Sequence, residues 1–272
     1  HTFQVRATDT AGNTDATPAS RTFTVDTGAP ETTIDSGPSG QTSDSTPTFE
    51  FSSEGGATFE CKLDGGAFSP CTSPHTTEAL ADGEHTFQVR ATDTAGNTDP
   101  TPASRTFTVD TGVPNTSITS GPTGGTSDRT PSFGFSSSEA GSTFECKVDG
   151  GAFGPCTSPF TTGSLSDGPH TFQVRATDGA GNVDATPASR AFTVDATAPE
   201  TTIVSKPKAV VKTKRKKAKL KFAFSSNETG STFECSMTGV SGFSDCTSPA
   251  KYKVAPGAYV FKVRATDANG LT

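Results

Sequence analysis

The chain has 272 residues, a net charge of −7, six cysteines, 20 phenylalanines and no tryptophan. Leucine, isoleucine, valine and phenylalanine contribute only 44 residues, a fraction low enough to raise the question of disorder. The modest net charge and the regular alternation of the apolar residues argue against a disordered chain. No apolar run is long enough to span a membrane.

One stretch recurs along the chain. The sequence HTFQVRATDTAGNTD at 1–15 returns unchanged at 85–99 and with two changes at 170–184, and a looser copy occupies 259–270. Spacings of 84, 85 and 89 residues between matching valines suit one small sandwich per repeat. We therefore expect the last strand pair of a preceding repeat at 1–27, complete repeats at 28–111 and 112–196, and a basic repeat lacking its last strand at 197–272.

Because the chain begins inside a repeat, we interpret it as an excerpt of a longer protein. A spare strand pair at one end and a missing strand at the other leave an open sheet edge, and such edges pair readily with other chains. We expect the 272-residue chain to associate through this edge.

The first complete repeat contains seven short runs in which apolar and polar residues alternate, as they do in half-buried strands. Phe49 and Phe51 share one face of their run, and Phe87, Val89 and Ala91 share a face of another. Prolines and glycines separate the runs, and no segment has a sustained helical period. The pattern predicts an antiparallel sandwich of two sheets. The predicted strands are Thr32–Ser36, Pro47–Ser53, Ala57–Leu63, Ala67–Cys71, His75–Leu80, Glu84–Asp93 and Ser104–Asp110.

Each complete repeat and the basic repeat contain one close pair of cysteines. Two sulfurs without a histidine pattern are too few for a metal site, so we favour a disulfide over metal ligation or buried free thiols. The residues between the first pair, KLDGGAFSP, contain a turn signal that places the two cysteines across a hairpin. Closing a loop of about 11 residues contributes roughly 3 kcal/mol, and a disulfide indicates a location outside the reducing cytosol. The predicted pairs are Cys61–Cys71, Cys146–Cys156 and Cys235–Cys246.

The stretches TFECKLDGGAFSPCTSP, HTFQVRATDTAGNTDPTPASRTFTVD and VDTGAPETTI resemble the tandem bacterial Ig-like repeats of large secreted or cell-surface proteins, notably of actinobacterial type. The resemblance covers essentially the whole chain. It implies an all-β chain of tandem antiparallel immunoglobulin-like β-sandwiches, about seven strands each, arranged as an elongated rod. Such repeats act as stalks, spacers or accessory modules, sometimes within adhesins.

The sequence shows no candidate catalytic residues. His1, His85 and His170 occupy one repeat position, where the basic repeat has Tyr259, and a site that accepts either ring is more typical of aromatic packing than of catalysis. No nucleophile elbow, zinc-protease motif or phosphate loop occurs. The abundant serines and threonines have no candidate base beside them. We predict a non-enzymatic protein without a cofactor.

The alternative to a protein without a cofactor is one that binds calcium. A D-x-A-G-N-x-D motif recurs, and another acid lies at each junction between repeats, so oxygen ligands of the kind that calcium prefers are present. Ala-Gly-Asn between two strands is equally typical of an ordinary hairpin turn, and the spacing does not match an EF-hand loop. The residues concerned are Asp9, Asn13, Asp15, Asp93, Asn97, Asp99, Asp178, Asn182 and Asp184, with Asp26, Asp110 and Asp195 at the junctions.

The basic repeat breaks the pattern by its charge. Residues 1–196 have a net charge of −15, whereas residues 197–272 have a net charge of +8. One interpretation is attraction to a polyanion such as an anionic wall polymer or an acidic glycan; the lack of interleaved aromatic residues disfavours nucleic acid. The other is a solvated strand edge, with Lys219 and Lys221 pointing outward to prevent pairing. The candidate polyanion-binding residues are Lys212, Lys214, Arg215, Lys216, Lys217 and Lys219.

Two functions follow as hypotheses. The favoured one is a non-catalytic stalk or spacer of an extracellular or cell-surface multidomain protein, whose partners are the neighbouring domains of the same chain. The alternative is an adhesin-type binding module for a glycan or an anionic cell-wall polymer, stiffened by calcium. Near-identical repeats joined by short Thr/Pro/Gly junctions favour the spacer.

Overall fold

The computed structural model describes all 272 residues and contains only strands, turns and loops. The prediction of an all-β chain is confirmed, and the structure has no helix that could cross a membrane. The chain forms two compact units. The first contains His1–Val113 and Asp178–Asn182, and the second contains Pro114–Thr177 and Val183–Thr272.

The first unit begins with a two-stranded hairpin. Strand β1 (Thr2–Val5) pairs antiparallel with β2 (Ala19–Thr22), and every residue of both strands is exposed. Between the strands, Asp9 accepts backbone hydrogen bonds from Ala11 and Asn13 at 2.9 Å each, which closes the turn. The hairpin has the sequence of a repeat's last two strands but lacks the opposite sheet, so its apolar side chains stay uncovered.

A sandwich of two sheets follows. The smaller sheet has the order β3-β5-β8, and the larger has the order β4-β10-β9-β6-β7. The strands are β3 (Thr33–Ser36), β4 (Gln41–Thr42), β5 (Thr48–Ser52), β6 (Thr58–Leu63), β7 (Ser69–Cys71), β8 (His75–Thr76), β9 (Gly83–Thr92) and β10 (Ala103–Val109).

Two details of this sandwich differ from the sequence prediction. Strand β4 was not predicted, and it pairs parallel with the end of β10 through Thr108↔Gln41. The strand predicted at His75–Leu80 ends at Thr76, because the chain then leaves the sheet and the Leu80 amide donates to the Ser45 carbonyl (2.8 Å). Both differences concern strands of only two residues, Gln41–Thr42 and His75–Thr76, which are too short for alternation to show.

The core lies between the two sheets and follows from the alternation. Phe49 and Phe51 of β5 are buried, whereas Thr48 and Glu50 between them are exposed. The ring of Phe49 stacks on Phe87 of β9 with centroids 4.2 Å apart. Aromatic stacking of this kind adds stability beyond simple burial, which helps a core that has few large residues.

The second unit contains two further sandwiches. In the first, a sheet with the order β11-β13-β16 faces a sheet with the order β12-β18-β17-β14-β15, which repeats the preceding topology. Its strands are β11 (Thr116–Ser120), β12 (Gly125–Thr126), β13 (Ser132–Ser137), β14 (Thr143–Val148), β15 (Gly154–Cys156), β16 (Phe160–Thr161), β17 (Gly168–Thr177) and β18 (Ala188–Val194).

The basic repeat forms two three-stranded sheets, with the orders β19-β20-β23 and β22-β21-β24. Its strands are β19 (Thr201–Ser205), β20 (Ala218–Ser226), β21 (Thr232–Met237), β22 (Ser241–Cys246), β23 (Ala250–Val254) and β24 (Phe261–Thr266). The strands β20 and β23 have nine and five residues, compared with six and two for their counterparts β13 and β16. The first sheet of this repeat is therefore longer than that of its neighbours.

Candidate functional site

The cysteines lie on adjacent strands of a hairpin in every sandwich. Cys61 of β6 and Cys71 of β7 are bonded, with 5.7 Å between their Cα atoms. Cys146–Cys156 and Cys235–Cys246 have the same Cα separation of 5.7 Å. No free cysteine remains. The structure therefore gives each sandwich one covalent link next to its core.

A surface cluster beside each disulfide was missed by the sequence reasoning. The guanidinium of Arg90 donates two hydrogen bonds to Glu60, at 2.9 and 2.7 Å, and lies 4.2 Å from the centroid of Phe68. The same trio recurs as Arg175, Glu145 and Phe153, and as Arg264, Glu234 and Phe243. The three residues recur at matching positions of each repeat, which is a signal that the sequence does contain. Their role is to fasten the outer face of the hairpin.

The carboxylates of the D-x-A-G-N-x-D motif close the turns. In Asp93, one carboxylate oxygen accepts the amides of Ala95 and Asn97 (2.8 Å each), and the other accepts the Asn97 side-chain amide (2.7 Å). The hydrogen bond from the Asn97 side chain, with the backbone bonds, lowers the pKa of Asp93. Asp178 and Asn182 repeat this geometry. Each asparagine donates its side-chain amide group to the carboxylate that begins the turn.

The last acid of the motif ties the turn to the opposite sheet. Asp99 accepts hydrogen bonds from the amide and hydroxyl of Thr101 (2.8 and 3.0 Å) and from the amide of Thr32 (3.0 Å). Burial would raise the pKa of Asp99, but these hydrogen bonds outweigh it and the pKa is lowered. Asp184 has matching partners in Thr186 and Thr116. Asp93 and Asp99 therefore accept separate sets of hydrogen bonds, Asp93 within the turn and Asp99 from Thr101 and Thr32.

Three other carboxylates in the second unit do lie together. Asp195, Glu228 and Asp267 each place a carboxylate oxygen within 4.8 Å of the other two. Burial and the charges of Asp195 and Asp267 raise the pKa of Glu228. Such a group of oxygens fits the ligand preference of calcium. Of the three, only Asp195 was among the residues expected from the sequence, and calcium binding to this chain stays a prediction.

The repeated histidines make polar contacts at both ring nitrogens. His85 Nδ1 lies 2.9 Å from Asp64 Oδ2, and Nε2 lies 2.9 Å from the Ala81 carbonyl. The Ala81 carbonyl and the Asp64 carboxylate raise the pKa of His85, although burial opposes the change. His170 is held in the same way by Asp149 and the Ser166 carbonyl. At the corresponding position, the hydroxyl of Tyr259 donates to the Ala255 carbonyl (3.1 Å).

Asparagines of these turns also contact the junctions. In the first unit, the Asn97 side chain donates to the carbonyl of Asp26, which follows the N-terminal hairpin (3.2 Å). In the second unit, the Asn269 side chain donates to the carbonyl of Asp195, which follows β18 (3.4 Å). A proline follows each junction acid and is buried: Pro30 and Pro199. The turn of one sandwich thereby contacts the segment that enters it.

The predicted polyanion-binding residues are all exposed but do not lie on one element. Lys212, Lys214, Arg215, Lys216 and Lys217 belong to the loop between β19 and β20, whereas Lys219 lies on β20 itself. The interpretation of Lys219 and Lys221 as guards of an unpaired edge stays a prediction: this part of β20 pairs with β23 on one side, whereas β19 pairs only with Ala223–Ser226. Two lysines of β23, Lys251 and Lys253, face them and were missed by the sequence reasoning.

Comparison with known proteins agrees with the repeat pattern. Residues 30–111 match a family model described as Bacterial Ig-like domain, and residues 152–196 match a second model of the same description. No curated protein matches the sequence significantly.

Several solved structures are similar to the chain at low identity. The fibronectin(III)-like modules of Clostridium thermocellum CbhA are 19% identical over 60% of this chain and 94% of theirs, with a TM-score of 0.42. A tetra-tandem repeat from the extending region of a large adhesion protein is 17% identical over 99% and 78%, with a TM-score of 0.32. A structure from a 1.5-MDa bacterial ice-binding adhesin is 16% identical over 83% and 86%, with a TM-score of 0.37. Residues 30–111 and 152–196 are therefore similar to bacterial Ig-like domains, and the repeated two-sheet sandwiches agree with that similarity.

Proposed function

We propose that the chain is a non-catalytic spacer segment of an extracellular or cell-surface multidomain protein. The observation that carries this proposal is the junction contact, in which a turn asparagine donates to the carbonyl of the incoming segment in both units. A flexible tether would need no such contact. A segment that holds other domains at a set distance needs joints that resist bending.

The second unit shows how its joint is restrained. Asn227 and Glu200 exchange two hydrogen bonds, at 2.7 and 3.1 Å, so the first strand of the basic repeat is fixed as soon as it begins. The hydroxyl of Thr197 donates to Asp167 of the preceding sandwich. The side chain of Asn269 lies so close to the α-carbon of Gly125 that a Cβ there would collide with it. The contacts of Thr197 and Asn269 link the basic repeat to the preceding sandwich and would resist bending between the two.

The three disulfides support an extracellular location, because such bonds persist in oxidising compartments. They also fit a spacer that must survive proteases, since a disulfide-bonded hairpin unfolds locally less often and is therefore cleaved less readily. The polar groups identified in the turns are engaged with one another and not exposed around a cleft, which fits a non-catalytic role.

A distance measurement within the second unit tests this function. Nitroxide side chains at Ser189 and Ser244, which are both exposed, report the distance between its two sandwiches by pulsed electron paramagnetic resonance. We expect one narrow distance distribution, broadened by Asn269→Ala. Insertion of Gly-Gly-Ser after Thr197 gives the reference for a loose joint. Asn97→Ala, which removes the same type of bond in the first unit, is the matched control and should leave the distribution unchanged. A wild-type distribution as broad as that of the insertion variant would refute a rigid spacer.

The alternative function, an adhesin-type binding module, is favoured by a different observation. Lysines of β20 and β23 face each other on the outer side of the basic repeat. Neither of the two complete repeats has a lysine pair at this place. The basic repeat therefore differs from them in surface chemistry while keeping their fold.

A further inference from the structure

The first sheet of the basic repeat carries two lysine pairs directly opposite each other. In the register of β20 and β23, Lys219 faces Lys253 and Lys221 faces Lys251. All four lysines are exposed, whereas Leu220 and Tyr252, which alternate with them, and Phe222, which follows Lys221, are half-buried. Like charges directly opposite each other on a sheet are unfavourable. The two opposed lysine pairs therefore destabilise the basic repeat unless an anion neutralises their charges.

The other sandwiches have a favourable pair at the same place. The residue before the first core phenylalanine of the strand is Thr48 in β5 and Ser132 in β13, where the basic repeat has Lys221. Thr48 and Thr76 share a hydroxyl hydrogen bond of 2.8 Å. Thr161 donates to Ser132 at 3.2 Å. The basic repeat has replaced a hydrogen-bonded hydroxyl pair by two ammonium groups.

The extra length of β20 and β23 adds the second pair. Their counterparts in the other sandwiches pair over only two residues, whereas β20 and β23 pair from Ala218↔Val254 to Phe222↔Ala250. Residues two apart on a strand lie about 6.8 Å apart, and neighbouring strands lie about 4.8 Å apart. The Cα atoms of the four lysines thus form a two-by-two array, from which four ammonium groups project on one face of the sheet.

The array continues into a groove beside β20. A cavity of about 520 Å³ separates the loop that follows β19 from the outer face of β20, and a second of about 580 Å³ lies over β20 and β23. The two share Lys219 and Lys221. No acidic residue lines either cavity. The lysines that line one or both are Lys206, Lys208, Lys212, Lys219, Lys221, Lys251 and Lys253.

None of these lysines is neutralised within the chain. All six ion pairs of the structure use arginine or histidine as the cation. In the same repeat, the carboxylate of Glu234 is bound by the guanidinium of Arg264 through Nε and Nη2 (2.7 and 2.6 Å). The repeat therefore uses arginine to bind a carboxylate and leaves a separate surface that consists only of lysine.

We propose that this face binds a linear polymer of phosphodiester-linked units outside the cell. Lysine binds phosphate as a compact point charge and accepts phosphates in varied orientations, whereas the fork of arginine holds a carboxylate or a phosphate in one bidentate geometry. A nucleic acid is disfavoured because base stacking needs an exposed aromatic ring, and the ring of Tyr252 instead packs inward, 5.9 Å from Phe261 and 6.3 Å from Phe222. Phosphates spaced along a flexible chain can follow the groove and neutralise the opposed lysines.

Binding at this face and the spacer role are separate properties, because neither Asn269 nor any other junction residue lines the two cavities. A loss of binding with an unchanged distance distribution between Ser189 and Ser244 would affect only the polymer-binding proposal. A broad distribution with retained binding would affect only the spacer.

The test uses the whole 272-residue chain and a synthetic poly(glycerol phosphate) carrying a fluorophore, titrated by fluorescence anisotropy at 50 and 200 mM NaCl. For four phosphate contacts on a flexible polyanion, counterion release predicts a dissociation constant that rises about 50-fold between the two salt concentrations. The double variant Lys221→Thr/Lys251→Thr restores the hydroxyl pair of the other sandwiches. It should bind at least about tenfold more weakly at 50 mM and show a salt dependence of only about sevenfold.

The matched control is Lys216→Thr/Lys217→Thr, which removes two charges from the loop outside the groove and should change the affinity less than about twofold. Equal losses in both double variants would show that only the net charge matters and would overturn the proposal, as would absence of binding by the wild type. Oligothymidylate and polygalacturonate of equal charge complete the experiment. Tighter binding of oligothymidylate would assign the face to nucleic acid, and equal binding of polygalacturonate would remove the preference for phosphate. Either result overturns the proposed ligand.

Discussion

At the scale of single residues, His85 is the clearest case of a side chain whose partners set its charge. Both ring nitrogens face oxygen acceptors, so the imidazole satisfies both contacts only when it carries two protons. The protonated form is therefore favoured in the folded state, which is why the pKa is raised. His170 repeats the arrangement with Asp149.

The first prediction concerns pH. Because the folded pKa of His85 and His170 is raised, their stabilising contribution is complete below the ordinary histidine value of 6.5 and is lost as the pH rises through the folded value. The pair is partly solvated, so we expect a loss on the order of 0.5 kcal/mol per histidine. Proton NMR titration should give midpoints above 6.5 for both rings. Asp64→Asn should lower the His85 midpoint and leave that of His170 in place; equal midpoints before and after the substitution would contradict the assigned contact.

A second prediction at this scale concerns Gly37. Its φ of +131° lies in the region that favours glycine, and an added Cβ would collide with the buried ring of Phe49. Gly37→Ala should therefore lower the free energy of unfolding of this sandwich by about 2–4 kcal/mol, through strain and forced displacement of a core ring. Gly40→Ala, where an added Cβ meets no atom within 4 Å, is the control and should be nearly neutral. Urea unfolding, monitored by hydrogen exchange, would measure the free energy of unfolding of both variants.

The sequence predicted which residues of the strands face the core, but not what the polar residues do. Successive side chains of a strand point to opposite faces because of its backbone conformation. Phe49, Phe51 and Phe87 could therefore be assigned to the core without a structure. The partners of Asp93 and Asp99 depend on how a turn folds back across a sheet, which composition does not encode. The same motif therefore allowed both a calcium site and a hairpin turn, and the structure shows the turn.

At the scale of elements, each disulfide hairpin stabilises its own sandwich. The third prediction is that Cys61→Ala/Cys71→Ala lowers the stability of that sandwich by about 3 kcal/mol, the value for a loop of about 11 residues. Repeated sandwiches behave nearly independently when their interfaces are small. Hydrogen exchange should therefore become faster in β6, β7 and β9, whereas β14 and β17 of the next sandwich keep their protection. Faster exchange in both sandwiches would instead indicate that they unfold together.

The lysine pairs give a fourth prediction at this scale. Without a polyanion, Lys221→Thr/Lys251→Thr should raise the stability of the basic repeat by about 0.2–1 kcal/mol, because a repulsive pair becomes a hydroxyl pair. The reciprocal change, Thr48→Lys/Thr76→Lys, should destabilise the first complete repeat by a similar amount. Both effects should shrink at 1 M NaCl, where screening weakens the repulsion. Thermal melting at low and high salt distinguishes this cause from a change in strand propensity, which salt would leave unaltered.

The pairing of distant strands is the part of the fold that the sequence does not predict. Lys219 and Lys221 were recognised as outward-facing from their alternation with Leu220 and Phe222, and the structure agrees. Their true neighbours, Lys251 and Lys253, are some 30 residues further along the chain and become adjacent only through the register of β20 and β23. Pairing between distant strands is set by topology, so no local pattern could have shown that the lysines oppose one another.

At the scale of the whole molecule, the charge is divided unevenly along the chain. Residues 1–196 carry −15 and residues 197–272 carry +8, so the modest total of −7 hides two strongly charged parts. Oppositely charged surfaces on different copies attract each other over about a Debye length, roughly 30 Å at 10 mM salt and 8 Å at physiological salt. Self-association of this origin must therefore weaken steeply as salt is added.

The fifth prediction follows from that separation. Sedimentation velocity of the 272-residue chain at 10 mM NaCl should show association that disappears by 300 mM, because the basic repeat of one copy binds the acidic sandwiches of another and salt screens the attraction. Association through an open sheet edge, held by backbone hydrogen bonds and apolar contacts, would instead persist at 300 mM. The variant Lys221→Thr/Lys251→Thr should associate less at 10 mM, since it removes two of the exposed charges that attract the acidic surface. Association that is equally strong in this variant and at both salt concentrations would assign it to the sheet edge and leave the lysine face free for an external polyanion.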